Sequence, residues 1–236
     1  MEYGVIIIGG GPAGLSTALH LQRIAPHLTS SILVLEKARY PRPKLCAGGL
    51  VIDAEVMLDR LGLDIREVPH VDADHIRFDF KGKGLKFRVQ KQHALRIIRR
   101  DEFDNWLAEK AKNRGIEIRE LVSVKNIVPE RDCVMIETNK GTFSAQVVVG
   151  ADGSNGVTRR CIFPDASVHT ARLLEVITPT YPHRPAGTSP IPLEQHGGGR
   201  EGVAYFDFFP VPNNIAGYVW DFPTQVKGEP MRCWGI

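Results

Sequence analysis

Only four cysteines occur in 236 residues, Cys46, Cys133, Cys161 and Cys233, and no two stand at Cys-x-x-Cys spacing. That argues against a zinc site or a disulfide framework and makes reduced thiols in a cytosol the expectation. Charge of one sign is also scarce. The net charge is +3, and no basic stripe is interleaved with aromatics, so nucleic acid is not an expected partner. Long apolar runs are missing: Val5-Ile6-Ile7-Ile8 is far too short to span a bilayer. The chain enters that run at once, which leaves no room for a signal peptide. A cytoplasmic protein is expected, with peripheral contact to a membrane left open.

What is present is ordinary for a globular chain that can bury a sizeable core, 43% hydrophobic and 24% charged. The informative stretch is residues 3–37. Val5 to Ile8 reads as a buried strand, followed by Gly9-Gly10-Gly11-Pro12-Ala13-Gly14, a helical pattern, a second strand Ile32-Leu33-Val34-Leu35, and Glu36-Lys37. Each part suits a dinucleotide. Gly9 allows the tight turn, Gly11 lets a pyrophosphate approach the backbone, and Gly14 lets the helix pack on the sheet. The helix N-terminus offers free N–H groups and partial positive charge to phosphates. Pro12 suits the first helical turn, and Leu15, Ala18 and Leu19 form the sheet-facing stripe. Glu36, about 20 residues on, is placed to accept from ribose hydroxyls.

Spacing alone does not make such a site. Gly197-Gly198-Gly199-Arg200-Glu201-Gly202 has the same pattern, but no strand precedes it and a strand-like run, Val203 to Phe209, follows. That second match reads as a loop.

Further along, Asp53 is expected to cap a short helix closed by Gly62, and Asp101 a longer one followed by Gly115. Between them Ile76, Phe78 and Phe80, then Leu85, Phe87 and Val89, alternate as two strands around a Lys81–Gly84 turn. Ile116 to Arg119, Leu121 to Val128, Val134 to Thr138 and Thr142 to Ala145 read as further strands, the last three as a meander. Val147-Val148-Val149 is unbroken and apolar, which returns it to the central sheet. Beyond Phe163 prolines become frequent and helical periodicity stops. The expected division is a dinucleotide-binding domain over residues 1–162, with a β insertion at about 66–98, and a second domain over 163–236.

Gly150-Ala151-Asp152-Gly153 is a second strand-then-glycine turn, and a carboxylate there can orient polar groups of a ligand or simply close an Asx turn. Cys46, before Gly48 and Gly49, reads either as a small buried hydrophobe or as the neighbour of a flat ring system. Tyr218, Trp220 and Phe222 alternate, so they share one strand face, either core or the wall of an apolar substrate cavity. His93, Arg96, Arg99 and Arg100 form a basic cluster, a solvated face in which only Arg100 suggests phosphate pairing.

Taken in order, these motifs resemble flavin-dependent oxidoreductases of the para-hydroxybenzoate hydroxylase fold. Gly9–Gly14 with Ala18 resembles their FAD fingerprint. Gly150-Ala151-Asp152-Gly153-Ser154-Asn155-Gly156-Val157-Thr158-Arg159 is similar to their second flavin motif, with Gly156 where serine is common and Thr158 where an aliphatic is common. Arg100 to Leu107 also fits, and implies Arg100 near the flavin. The resemblance further implies that the segment around Val122 to Val124 touches adenine. The implied architecture is α/β, a Rossmann-like FAD-binding domain with an incomplete, mainly β substrate domain.

Two stretches narrow the resemblance to geranylgeranyl reductases. Tyr40-Pro41-Arg42-Pro43-Lys44-Leu45-Cys46-Ala47-Gly48-Gly49 is similar to their Pro-rich Lys-x-Cys-Gly-Gly segment, with Ala47 in place of a glycine. Gly217-Tyr218-Val219-Trp220-Asp221-Phe222-Pro223 is similar to their Tyr-x-Trp-x-Phe-Pro signature. The resemblance implies reduction of carbon–carbon double bonds in a prenyl chain, with a small molecule or prenyl lipid as the substrate partner. FAD would be the cofactor, with NADPH bound transiently or an electron-transfer protein as reductant. Cys46, Tyr218 and Trp220 are the candidates for lining the flavin or substrate cavity, and no side chain is singled out as proton donor. A monooxygenase or halogenase of the same fold, or an inactive flavin-binding remnant, are the alternatives. Relatives carry a third flavin motif, a Gly-Asp pair, after the substrate domain. No Gly-Asp dipeptide occurs here, and the resemblance therefore implies an N-terminal fragment or truncated product.

Overall fold

A computed structural model describes residues 2–167, 170–180 and 202–236. The chain forms two compact units, residues 1–43 with 101–170, and residues 44–100 with 171–236. Numbered along the chain, the first unit opens with β1 (Glu2–Ile8), α1 (Pro12–Ile24) and β2 (Ile32–Leu35). The second unit begins with β3 (Gly49–Leu50), α2 (Ile52–Arg60), β4 (His70–Ala73), β5 (His75–Phe80), β6 (Lys83–Arg88) and β7 (Leu95–Ile98). The chain returns to the first unit through α3 (Arg100–Asn113), β8 (Glu117–Arg119), β9 (Val124–Pro129), β10 (Val134–Thr138), β11 (Gly141–Gly150) and α4 (Val157–Ile162). It ends in the second with β12 (Glu175–Pro179), β13 (Val203–Asp207), β14 (Val219–Val226) and β15 (Glu229–Gly235).

The first unit is built on a six-stranded sheet in the order β8-β2-β1-β11-β10-β9. β8, β2, β1 and β11 are parallel, and β11, β10 and β9 form an antiparallel meander. Strand β11 serves both arrangements. Its first half pairs with β10 and Ser144 to Gly150 pair with β1, so the expected separate strands at 142–145 and 147–149 are one strand of ten residues. Tyr3, Ile6, Ile8, Leu33, Leu35, Val122, Ile136, Phe143 and Ala145 form a buried cluster of this unit. Against β1 and β2 packs α1, whose Leu15, Ala18 and Leu19 are fully buried as the periodicity required.

The second unit holds a six-stranded sheet in the order β12-β15-β14-β13-β5-β6 and a three-stranded sheet in the order β3-β7-β4. Strands β5 and β6 meet at Lys81-Gly82, both with positive φ, as a two-residue hairpin turn demands. Parallel pairing of β13 with β5 ties the residues after 171 to the insertion. For that reason residues 44–100 and 171–236 cluster together, against the expected insertion at 66–98 and boundary at 163. Trp220, Phe222, Cys233, Ala204, Ala73, Leu95 and Ile97 form its core.

Two expected caps lie just inside their helices instead of at the N-cap. Val51 is the N-cap of α2 and Arg100 already belongs to α3, so Asp53 and Asp101 sit in the first turns, where a carboxylate still complements the helix dipole. The glycine-rich match at 197–202 lies outside the described residues apart from Gly202, which precedes β13.

Candidate dinucleotide-binding site

The first unit brings its two glycine turns together. Gly9 leaves β1 with φ +106°, and a Cβ there would stand 2.3 Å from the Ala151 carbonyl oxygen. Ala151 in turn donates its N–H to Ile8 at 2.8 Å. The turns therefore lie side by side at the carboxyl ends of adjacent parallel strands, the usual ligand position of such sheets. A Cβ on Gly14 would stand 1.9 Å from the Gly9 oxygen, so a glycine is required there for α1 to pack on the turn. Gly11 differs. It is the N-cap of α1, its φ is −82°, and the nearest atom to a Cβ there is Arg42 Nη2 at 3.5 Å. Among the described residues no side chain caps the helix, so its first N–H groups are available to a ligand, with Pro12 and exposed Ala13 following.

Glu36 is 4% exposed and faces the glycine turn. Its Oε2 accepts from the Gly10 N–H at 2.9 Å and its Oε1 from the Ala38 N–H at 2.9 Å. Arg42 Nε lies 3.4 Å from Oε2, while Arg42 Nη2 pairs with Asp104 Oδ2 at 3.1 Å. Buried Tyr40 donates its hydroxyl to the Gly10 carbonyl. Burial, with Glu36 close by, pushes the Tyr40 phenol up, so it stays a donor. Its backbone N–H donates to Glu120, which also pairs with Lys112 at 3.0 Å. Arg42, Tyr40 and Asp104 were not singled out as site residues in the sequence. The signal available was the Pro-rich segment 40–43 itself, read only as part of a family motif.

At the second turn, Asp152 Oδ2 accepts from the N–H of Thr158 at 3.0 Å and from its hydroxyl at 3.2 Å. The carboxylate thus ties the turn to the first residues of α4. Both departures from the family pattern have a local reason. A Cβ on Gly156 would stand 2.2 Å from Asp152 Oδ1, and Thr158 supplies a hydroxyl to Asp152 while its methyl group covers Gly150. Gly153, with φ +85° and nothing within 4 Å of a Cβ, faces open space.

The remaining expected cofactor residues divide between the units. Lys37 is exposed. Val122 is buried in the sheet cluster and donates its backbone N–H to the Glu36 carbonyl, and Val124 packs at the same cluster. Cys46, Gly48, Gly49 and Arg100 belong to the second unit. Half-buried Cys46 donates its backbone N–H to Glu175 at 2.6 Å, and its Sγ accepts from Gly48 at 3.5 Å. Gly48 has φ +79°, and a Cβ would strike the Ile98 oxygen. Gly49 pairs with Ile97. The glycines thus have a structural reason within their own unit. Arg100 is the first residue of α3. The basic cluster is not a solvated face throughout. Arg96 is buried against Asp72, at 2.7 Å, and Glu55, at 3.1 Å, and His93 meets Glu55 at 2.6 Å.

Also in the second unit, Phe78, Phe206 and Trp220 occupy one cross-strand row. Tyr218 lies 5.2 Å from Phe206 and 6.3 Å from Trp220 by ring centroids, and Phe222 4.9 Å from Phe206. Trp220 and Phe222 are core, whereas Tyr218 is 38% exposed. Trp220 donates its indole N–H to Cys233, whose thiol burial pushes up to about 11. Behind this row, Asp221 and Arg232 form a buried ion pair at 2.6 Å. No group that could hold a metal ion occurs among the described residues, and no helix among them is long and apolar enough to cross a membrane.

The FAD binding domain family matches residues 2–205. The chain belongs to that family. Digeranylgeranylglycerophospholipid reductase 1 of Methanopyrus kandleri is 28% identical over 244 residues, which covers 100% of this chain and 58% of the reductase. The chain spans about half the length of the curated relatives it matches over its full extent. Among solved structures, a geranylgeranyl bacteriochlorophyll reductase-like protein from Thermoplasma acidophilum superposes with a TM-score of 0.74 at 21% identity, covering 100% of this chain and 56% of that one. The p-nitrophenol 4-monooxygenase PnpA of Pseudomonas putida gives 0.71 at 24%, covering 100% and 58%. The fold is that of FAD-dependent oxidoreductases of the para-hydroxybenzoate hydroxylase type, as the motifs implied.

The residues present fit the phosphate portion of FAD. Gly9 and Gly14 are consumed by backbone packing, Gly11 alone of the three is open toward an uncapped helix start, and the Asp152 turn lies beside it.

Proposed function

We propose that this chain is the FAD-holding part of an oxidoreductase that reduces carbon–carbon double bonds in a prenyl chain. The observation that carries the cofactor assignment is the open face of Gly11 at the uncapped start of α1, set against the Asp152 turn. Gly11, Pro12, Ala13 and Gly14 would present backbone N–H groups and the helix dipole to the diphosphate. Glu36 would accept from ribose, Val122 and Val124 would lie by adenine, and Ala151, Asp152 and Gly153 would border the rest of the nucleotide. Cys46, Gly48, Gly49 and Arg100 are assigned to the flavin side. Bound FAD supplies hydride chemistry that no side chain of the protein offers.

The prenyl assignment is supported by the Tyr218-Val219-Trp220-Asp221-Phe222-Pro223 signature, by the adjoining aromatic row, and by the likeness to a lipid reductase over the whole chain. An apolar chain fits the partly exposed ring of Tyr218 at the end of this row of tilted and edge-to-face rings. NADPH or an electron-transfer protein would supply the electrons, and contact with a membrane surface would give access to a lipid substrate.

The test is an absorbance spectrum of the purified chain, followed by anaerobic reduction in the presence of a geranylgeranyl lipid. Flavin absorbance and products heavier by two hydrogens per double bond are expected. Colourless protein would overturn the cofactor assignment. NADPH-dependent oxygen uptake with a hydroxylated or halogenated product would replace the reductase with an oxygenase.

A further inference from the structure

We propose that Arg42 is an anion ligand of the dinucleotide site and that Asp104 is the positioning residue that holds it there. The inference rests on the dinucleotide reading above.

A diphosphate carries negative charge into a turn made of Gly, Pro and Ala. No lysine or arginine lies between Gly9 and Leu19, so the turn offers only N–H groups and the helix dipole. Arg42 supplies the missing cation. Its Nη2 stands 3.5 Å from the Cβ position of Gly11, which is the open glycine of the three. A phosphate oxygen over Gly11 is within reach of that nitrogen without any movement of the backbone.

The way Arg42 is held separates this role from a plain structural tie. Asp104 is fully buried on the inner side of α3, beside Phe103, Leu107, Ala108 and Ala111. A carboxylate in that position requires a partner, and Arg42 Nη2 provides one at 3.1 Å. On the other side, Arg42 Nε is buried with no hydrogen-bond partner, facing Glu36 Oε2 at 3.4 Å. The guanidinium is gripped firmly at one nitrogen and loosely at another. Nη2 carries two N–H groups, so it can keep its bond to Asp104 while the other N–H meets a phosphate oxygen over Gly11. The weakly held Nε lets the guanidinium turn toward that oxygen while Glu36 stays bonded to the Gly10 N–H.

The experiment compares ADP with adenosine, which differ by the diphosphate alone, by calorimetric titration of the 236-residue chain and its variants, with FAD titrated alongside. Arg42→Gln is expected to lose about tenfold or more in ADP affinity and to leave adenosine unchanged, the size of one charge-assisted hydrogen bond. Arg42→Lys should recover part of the loss, and Asp104→Asn should show a smaller loss of the same selectivity. Equal losses for ADP and adenosine, or no loss for either, would overturn the proposal. Should Arg42→Gln fail to fold, nitrogen-15 NMR of the unaltered chain decides: the Arg42 Nε–H resonance is expected to move with ADP and not with adenosine, and an unmoved resonance overturns the role. FAD binding that ignores Arg42→Gln removes this proposal and leaves the cofactor assignment standing. ADP binding that depends on Arg42 without FAD binding does the reverse, and an unaltered chain that binds neither ligand overturns both.

Discussion

The Glu36 carboxylate accepts the backbone N–H of Gly10 at 2.9 Å, across 26 residues of sequence. The acid that closes the strand–helix–strand fingerprint therefore also braces the glycine turn it serves. Replacing it would remove more than the ribose contact proposed for it. Glu36→Ala strips acceptors from the Gly10 and Ala38 N–H groups, and each orphaned buried donor costs about 1–3 kcal/mol. Urea unfolding without ligand should show that loss, and flavin retention should fall further, by about 1.5–3 kcal/mol. A variant as stable as the parent would show that the braces contribute nothing.

Gly9 and Gly11 should separate folding from binding. Gly9→Ala puts a Cβ 2.3 Å from the Ala151 oxygen at a left-handed φ, a cost on the order of 2–5 kcal/mol. Gly11→Ala meets nothing closer than 3.5 Å at an ordinary φ, so stability should stay within about 0.5 kcal/mol. Nucleotide binding should nevertheless drop, because the methyl group stands where phosphate would. Thermal melts paired with FAD titration check both, and unimpaired binding by Gly11→Ala would contradict the site.

Trp220 and Tyr218 should also part company. Trp220→Ala empties a core position and should cost about 3–5 kcal/mol in a urea titration. Tyr218→Ala, at a partly exposed ring, should cost about 1 kcal/mol and instead raise the KM of a prenyl substrate in the complete enzyme. Equal destabilisation would make Tyr218 plain core.

Asp72 gives the second unit an acid-sensitive point. Burial raises its carboxyl, but hydrogen bonds and charge from Arg96 outweigh that and hold it below the usual 3.8. The folded state then binds fewer protons than the unfolded chain over the window just below 3.8. The stability it contributes is present above that window and is lost as pH falls through the lowered value. Asp72→Asn should flatten the acid limb of a urea midpoint profile between about pH 2 and 5. A profile parallel to the parent's would exclude the pair from acid unfolding.

Much of this was legible in the residues themselves. The run Val5–Ile8, the glycines at 9, 11 and 14 and the stripe of Leu15, Ala18 and Leu19 specify a strand, a turn and a helix through purely local rules. The hairpin at Lys81-Gly82 and the helix-ending glycines 62 and 115 follow from positive φ alone. The union of residues 44–100 with 171–236 was not legible, because the parallel pairing of β5 with β13 joins segments about 130 residues apart with no local mark in either. Nor was the engagement of Arg96 with Asp72 and Glu55, which pairs one member of an apparent basic cluster with carboxylates.

The amino-acid order by itself determined the strand, glycine turn and helix at 5–24, since backbone freedom and helix polarity are properties of neighbouring residues. Tertiary structure alone decided which charges surround that turn. Asp104 comes from a helix beginning some sixty residues after Arg42, and only packing places its buried carboxylate against that guanidinium beside Gly11. The reason is physical: steric permission is local in sequence, whereas the pairing of buried charge depends on what the fold brings within a few ångströms.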